Sequence, residues 1–229
     1  VIESREQLFD KWAGSYDESV KDPSGFPHEG YERVLDLVAE RAQVEPGMLI
    51  LDLGIGTGNL AGRMLARGCE VWGLDFSIQM LAKVHAKFPR IELLKADLRG
   101  DWPIDVDRRF DRVVSAYMLH ELDLASKVRL LRKLVGDHLF DGGRIVVGDV
   151  SFPTRAARDE APERYGRRRD EETGEERIIW DEEEFYWAAD EAIEALASEG
   201  LVVAYEQVSF CGGVYVIERA DEGNSREDV

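Results

Sequence analysis

Apolar positions along this chain change period repeatedly, and each change marks an element. Leu8, Phe9, Trp12, Ala13 and Tyr16 fall on one face of a helix, which Ser4 and Gln7 open as a capping box. A Pro- and Gly-rich loop from Asp22 to Pro27 separates it from a second amphipathic helix whose apolar face is Tyr31, Val34, Leu35 and Val38. Pro46-Gly47 then ends this amino-terminal helical cap. Continuous apolar runs near 48–53, 70–75, 91–96, 111–116 and 144–150 read as buried strands, and helical stripes near 59–67, 77–88 and 124–139 lie between them. Such alternation predicts a parallel sheet wound with helices on both faces.

After residue 151 the rhythm changes. Residues 152 to 180 are strongly charged and poor in core candidates, which predicts a lid-like excursion over the surface. Asp181 is placed to cap a helix that carries Phe185, Ala188, Ala189, Ile193 and Leu196 inward and stops at Gly200. Leu201–Tyr205 and Val214–Ile217 read as two strands with a turn at Cys211-Gly212-Gly213. The expected organisation is one domain over 1–229: a cap (1–45), a core (46–150), the insertion (151–180), a helix and strand pair (181–220) and a disordered polar tail (221–229).

Composition narrows the partners more than the fold. A chain of 229 residues buries a full α/β core. Its 47 acids against 29 bases leave a net charge of −18, a poor start for neutralising phosphates, so no nucleic acid partner is expected. The one dense basic run, Arg164 to Arg169, is followed at once by Asp170-Glu171-Glu172. No apolar run approaches the ~20 residues of a membrane span, and the first residues lack a basic-then-apolar pattern, which sets cytoplasmic location and no membrane as the expectation. Cys69 and Cys211 read as small buried apolar residues.

The chemistry concentrates at Leu49-Ile50-Leu51-Asp52-Leu53-Gly54-Ile55-Gly56-Thr57-Gly58, a buried run ending in an acid and then three alternating glycines. Missing Cβ atoms let backbone approach a ligand there, and the helix that follows aims its positive end at the same crevice. Gly56, Gly58, Ala61 and Asp75 nearly satisfy a dinucleotide pattern. Asp52 opposes that reading, because a pyrophosphate beside it meets like-charge repulsion, whereas a cationic ligand is welcomed.

This stretch resembles motif I of the class I S-adenosylmethionine-dependent methyltransferases, and further matches follow in order. Gly73-Leu74-Asp75-Phe76-Ser77 with Met80-Leu81 resembles the family's second strand, Leu94 to Leu98 the third, Phe110 to Ser115 with Tyr117 to Leu122 the fourth and its loop, and Gly142 to Asp149 the fifth. The resemblance covers roughly 8–219. It implies a Rossmann-like α/β fold with a seven-stranded, mostly parallel sheet and an antiparallel last strand. It also implies S-adenosylmethionine as cofactor, S-adenosylhomocysteine as product, and a small-molecule methyl acceptor. The implied roles are backbone approach at Gly54, Gly56 and Gly58, ammonium recognition at Asp52, ribose at Asp75, adenine at Asp97 and the Leu98 amide, and apolar walls from Phe76 and Met80. Ser115-Ala116-Tyr117-Met118 departs from the Asn/Asp-Pro-Pro-aromatic run of amino-methylating DNA enzymes.

A sulfonium already activates its methyl group, so alignment of the acceptor and exclusion of water are the protein's main tasks. His120, just past the fourth strand, is the candidate base or acceptor contact. Tyr16 lies in Phe9-Asp10-Lys11-Trp12-Ala13-Gly14-Ser15-Tyr16-Asp17, which resembles the opening of many small-molecule methyltransferases, where the tyrosine lies against cofactor or acceptor. Trp12, His28 and Tyr31 are secondary candidates. Arg164, Arg167 and Arg168 stand either as a clamp on an acidic acceptor or as a solvated face. Asp149 invites a metal reading, but no second acid pair accompanies it, so no metal is expected. A nicotinamide-dependent oxidoreductase and a non-catalytic cofactor-binding module remain open at this level, as do the acceptor atom and the oligomeric state.

Overall fold

The cap forms first in the chain. A computed structural model describes residues 5–20, 25–103, 106–169 and 176–220; Ser4 of the expected capping box and the tail from 221 lie outside them. Helices α1 (Arg5–Trp12), α2 (Tyr16–Ser19) and α3 (Tyr31–Arg41) precede the sheet. The apolar stripe of α3 sinks into the core, with Val34, Leu35 and Val38 at most 1% exposed. Helix α1 behaves differently: it contains no fully buried residue, and Leu8 is exposed. Its attachment is largely polar, through Asp10 to the Ser77 hydroxyl, Glu6 to Lys95 and Arg5 to Glu121.

Beyond the cap the predicted alternation is present. Strand β1 (Leu49–Leu53) leads to α4 (Asn59–Leu65), β2 (Glu70–Asp75), α5 (Ile78–Lys87), β3 (Glu92–Lys95), β4 (Phe110–Ala116), α6 (Leu124–Lys133) and the long β5 (Leu139–Phe152). The Ser77 hydroxyl accepts the Met80 amide to start α5, and the Asp123 carboxylate accepts the Ser126 amide to start α6. A π-helical turn at Leu134–His138 replaces the last turn expected of α6. The chain continues through α7 (Arg155–Tyr165), the hairpin β6 (Arg167–Arg169) and β7 (Glu176–Ile178), the short β8 (Trp187–Ala188), α8 (Ala189–Ser198), β9 (Leu201–Gln207) and β10 (Gly212–Arg219).

The main sheet runs β3-β2-β1-β4-β5-β10-β9, with β8 added beside β5. Its first five strands are mutually parallel and β10 is antiparallel to both neighbours, so the Rossmann-like order and the antiparallel last strand are as expected. Period-two alternation feeds two apolar layers: Ile50 and Val146 face α3 and α4, while Leu51, Leu53, Ile145 and Val147 face α6 and α8. Gly148 lets α3 cross β5 closely, since a Cβ there would lie 2.5 Å from Val34 Cγ1.

Two local expectations are corrected. The helix foreseen from Asp181 begins only at Ala189, and Phe185 is exposed. Asp181 accepts the Glu183 amide in a tight turn, and Trp187 pairs with Ser151 at the edge of β5, so sheet pairing overrides the helical stripe. Gly212 and Gly213 belong to β10 and not to the turn before it.

Candidate active site

The carboxyl ends of β1, β2 and β4 open into two cavities that meet at Gly54. One is lined by Leu74, Asp75, Phe76, Asp97, Leu98 and Met118, among others. The second is lined by Tyr16, Tyr31, Asp52, Gly56, Thr57 and Asn59, among others. Gly54 adopts φ 67°, and a Cβ there would stand 2.3 Å from Met118 Cγ, so only glycine fits between the two. Asp75, Phe76, Asp97 and Leu98 line the first cavity, Tyr16, Asp52 and Gly56 the second, and Gly54 lines both. Met80 is buried and does not line either cavity, and Gly58 serves as the left-handed N-cap of α4.

The carboxylates of the cleft differ sharply. Asp75 accepts the Gly56 amide at 2.9 Å and the Ser77 amide at 2.9 Å, which fixes the glycine loop to the end of β2. Burial raises its pKa while those backbone bonds oppose the rise. Asp97 is exposed and held below the ordinary carboxylate range by Arg99, whose guanidinium also lies 5.4 Å from the centre of the Phe76 ring. Asp52 is 1% exposed, and its Oδ2 has no hydrogen-bond partner. Burial, with Asp75 nearby, pushes its carboxyl well above the usual range. A buried acceptor left unpaired in a cavity calls for a donor from a ligand, and a cation serves best.

A second cluster stands one strand away. Asp149 accepts four donors: the His120 amide at 3.0 Å, His120 Nδ1 at 2.6 Å, Trp187 Nε1 at 3.0 Å and the Val150 amide at 2.8 Å. Burial opposes charge on both partners, but their attraction wins. Asp149 is held low, and His120 is raised to about 9 by Asp149 with Glu184 and Glu121. His120 Nε2 lies 3.8 Å from Glu184 Oε1. The ligand-type atoms of His120, Glu121 and Glu184 lie within 4.8 Å of one another, yet Arg5 already pairs with both glutamates and with Asp181. A guanidinium supplies there the positive charge that a cation would bring.

Several functional-looking residues carry no sequence signal. Arg5 links α1 to the loop before β8, and Lys127, 2% exposed, donates to the Phe185 carbonyl and lies 4.6 Å from the Trp187 ring centre. Burial lowers Lys127 to about 8. Tyr117 sits at φ 52° with its buried hydroxyl unpaired, a backbone state that nothing in Ser115-Ala116-Tyr117 announces. Tyr31, Tyr117 and His28 pack ring to ring, so these cap residues meet the loop after β4. Arg164 and Arg167 point to solvent and pair with Glu160 and Glu176; the Arg168 side chain lies outside the described residues.

Comparison with known proteins agrees with this arrangement. A methyltransferase-domain family model matches residues 50–143, the segment that carries the glycine loop with Asp52, Asp75 and Asp97. An uncharacterised methyltransferase of Geobacillus thermodenitrificans is 31% identical over 207 residues, covering 87% of this chain and 90% of that protein. Among solved structures, the DhpI–SAH complex shares the fold at TM-score 0.67 and 20% identity, over 95% of this chain and 96% of that one. The CcbJ methyltransferase from Streptomyces caelestis does so at 0.66 and 21%, over 95% and 100%. With sequence identity sustained along nearly the whole of a methyltransferase, and the glycine cleft inside the matched domain, the chain belongs to the class I S-adenosylmethionine-dependent methyltransferases.

Proposed function

We propose that the protein methylates a small-molecule acceptor, with the cofactor held along the cleft from Asp97 to Asp52. The observation that carries the cofactor's orientation is the orphaned Asp52 Oδ2 at one end of the cleft, which fits the α-ammonium of S-adenosylmethionine. At the other end the Asp97 carboxylate and the Leu98 amide suit the adenine. Asp75 suits the ribose hydroxyls, Phe76 walls the adenine site, and Gly54, Gly56 and Gly58 keep the backbone close. When bound, the cofactor supplies a methyl group activated by its sulfonium.

A small acceptor is favoured because α1 and α2 close over this end of the sheet. Asp10 bonds Ser77, Asp17 bonds Thr57 and Lys87, and Arg5 reaches Glu121, leaving little room for a macromolecular surface. Tyr16 and His120 are the residues assigned to the reaction itself. Tyr16 borders the Asp52 cavity and positions the acceptor. His120, oriented by Asp149, accepts the acceptor's proton where that atom carries one. Since His120 holds its proton up to about 9, turnover with a hydroxyl or thiol acceptor rises as pH approaches that value.

Calorimetric titration with S-adenosylmethionine and S-adenosylhomocysteine, with NAD as control and Asp75→Ala alongside, tests the cofactor site. Binding of both adenosyl ligands that is lost in the variant is expected, and preferential NAD binding overturns the reading. Labelled methyl transfer to a panel of small hydroxyl, thiol and amine compounds, set against protein and RNA fractions, then tests the acceptor class.

A further inference from the structure

A third cavity, of about 340 Å³, lies between α6, α7, α8 and the segment from Trp180 to Ala188, and it shares no lining residue with either cavity of the cleft. That is room for a single-ring organic molecule. The segment divides the cavity from the hub around Asp149: the Phe185 amide donates to the His120 carbonyl at 2.7 Å, and the Trp187 indole donates to Asp149 at 3.0 Å. Its buried lining is mostly apolar, with Trp187, Ala188 and Ala192 at most 2% exposed. Two more rings of the lining, Trp180 and Tyr186, meet at 4.6 Å between centres.

Four charged residues line this cavity, and three of them already have ionic partners. Glu184 pairs with Arg5 at 2.9 Å, and Arg158 pairs with Glu191 at 2.8 Å. Lys127 is the fourth. Its ammonium donates to the Phe185 carbonyl and lies 4.6 Å from the Trp187 ring centre, and among the described residues it meets no carboxylate. A lysine this deeply buried ordinarily has an acid beside it. Burial, with Arg158 adding to it, lowers Lys127 to about 8, while Asp149, Asp123 and Glu191 oppose the fall. A carboxylate in the cavity supplies the missing partner and holds the amine in its charged form. A dianion such as phosphate suits the place poorly, because one cation faces it and the rest of the lining is apolar or acidic. A monoanion with a flat apolar body suits both the charge and the rings.

We infer that this cavity is a second binding site, separate from the cofactor cleft, which takes a small aromatic carboxylate with its charge on Lys127 and its ring among Trp180, Tyr186 and Trp187. Binding there is independent of the cofactor assignment.

Calorimetry of the full chain at about pH 7 tests the site with phenylacetate, using benzyl alcohol as the neutral counterpart and inorganic phosphate as an anion without a ring. Phenylacetate is expected to bind at least about tenfold more tightly than either, the size of one charge-assisted contact. Lys127→Met keeps the length of the side chain, removes its charge and is expected to weaken phenylacetate about tenfold. Leu124→Trp leaves Lys127 in place and fills the cavity from the half-buried start of α6, so it is expected to abolish binding and decides the matter if the lysine variant does not fold. Native affinity for phenylacetate in either variant, with its circular dichroism unchanged, overturns the site. Equal affinity for benzyl alcohol or phosphate does the same, as does the absence of any heat with phenylacetate up to about 10 mM. Displacement of phenylacetate by S-adenosylhomocysteine also overturns it, by putting the probe in the cleft, and leaves the cofactor assignment standing.

Discussion

Asp52 and Asp149 stand at the carboxyl ends of two strands that flank β4, both with almost no exposure, and they have opposite surroundings. Asp149 collects four donors, an imidazolium among them, while Asp52 Oδ2 collects none. A folded chain tolerates a buried carboxyl either by saturating it internally or by leaving it for a ligand. The first kind orders the protein, and the second waits for chemistry. Proximity to the cleft alone does not separate them; the inventory of hydrogen bonds does.

The contrast is broken most forcefully at Asp149. Asp149→Ala leaves the His120 imidazolium, its amide and the Trp187 indole N–H without their acceptor, and removing one partner of a buried pair costs about 3–5 kcal/mol. Chemical denaturation should show that loss with an unchanged m-value. A loss under about 1 kcal/mol would mean that solvent reaches the cluster and that Asp149 is not the saturated member of the comparison.

Next in size is the pH dependence of the same pair. His120 titrates higher in the folded chain than in the unfolded one, so its contribution is complete below its ordinary value of 6.5 and disappears as pH rises through about 9. The shift corresponds to stability on the order of 3 kcal/mol. Asp149 titrates low, so its share is present above the ordinary carboxylate value and is lost as acid protonates it. His28 works in the other direction from His120: its neutral form is favoured, and stability falls as pH drops from 6.5 toward 4. Denaturation midpoints taken from pH 6 to 10 in the native chain and in His120→Asn should converge at the alkaline end. Parallel curves would detach His120 from the stabilising pair.

Asp52 gives a smaller effect of a different kind. Asp52→Asn keeps the shape and removes the carboxyl that a bound ammonium would draw into its charged form, and S-adenosylmethionine should bind about 10- to 100-fold more weakly, as expected when one charge-assisted contact is lost. Ligand-free stability should change by under about 1 kcal/mol, because no donor inside the chain depends on Oδ2. Calorimetry and denaturation on the same preparation read both numbers. A large loss of stability with binding retained would exchange the roles of the two aspartates.

The same comparison explains what the sequence made legible. The glycine cleft is built by local code: an apolar strand, glycines at alternate positions and an acid at each strand end, all within Leu49 to Leu98, so the order of motifs that carries the family resemblance also points to these residues. The hub around Asp149 joins residues up to 38 positions apart, from Asp149 to Trp187, and the loop that carries Trp187 has helical spacing that sheet pairing overrides. Arg5 reaches Glu184 across 179 positions. No periodicity encodes such meetings, and the left-handed turn at Tyr117 is equally silent because its residue type usually avoids that conformation. His120 was visible through its place after the fourth strand, whereas its imidazolium state follows only from the acids brought to it.

The smallest effect belongs to the arginine run. Arg164 and Arg167 are each about two-thirds exposed and pair with Glu160 at 3.9 Å and Glu176 at 3.3 Å, distances and surroundings at which solvent competes well. Neither residue lines either cavity of the cleft. Arg164→Ala and Arg167→Ala should therefore change stability by less than about 0.5 kcal/mol and leave S-adenosylmethionine affinity within about twofold. An acidic acceptor held by this run would betray itself by KM rising in either variant while kcat stays constant, and by a steep dependence of KM on salt in the native chain. Absence of both signs would assign acceptor recognition to the buried end of the cleft, where the unpaired groups already gather.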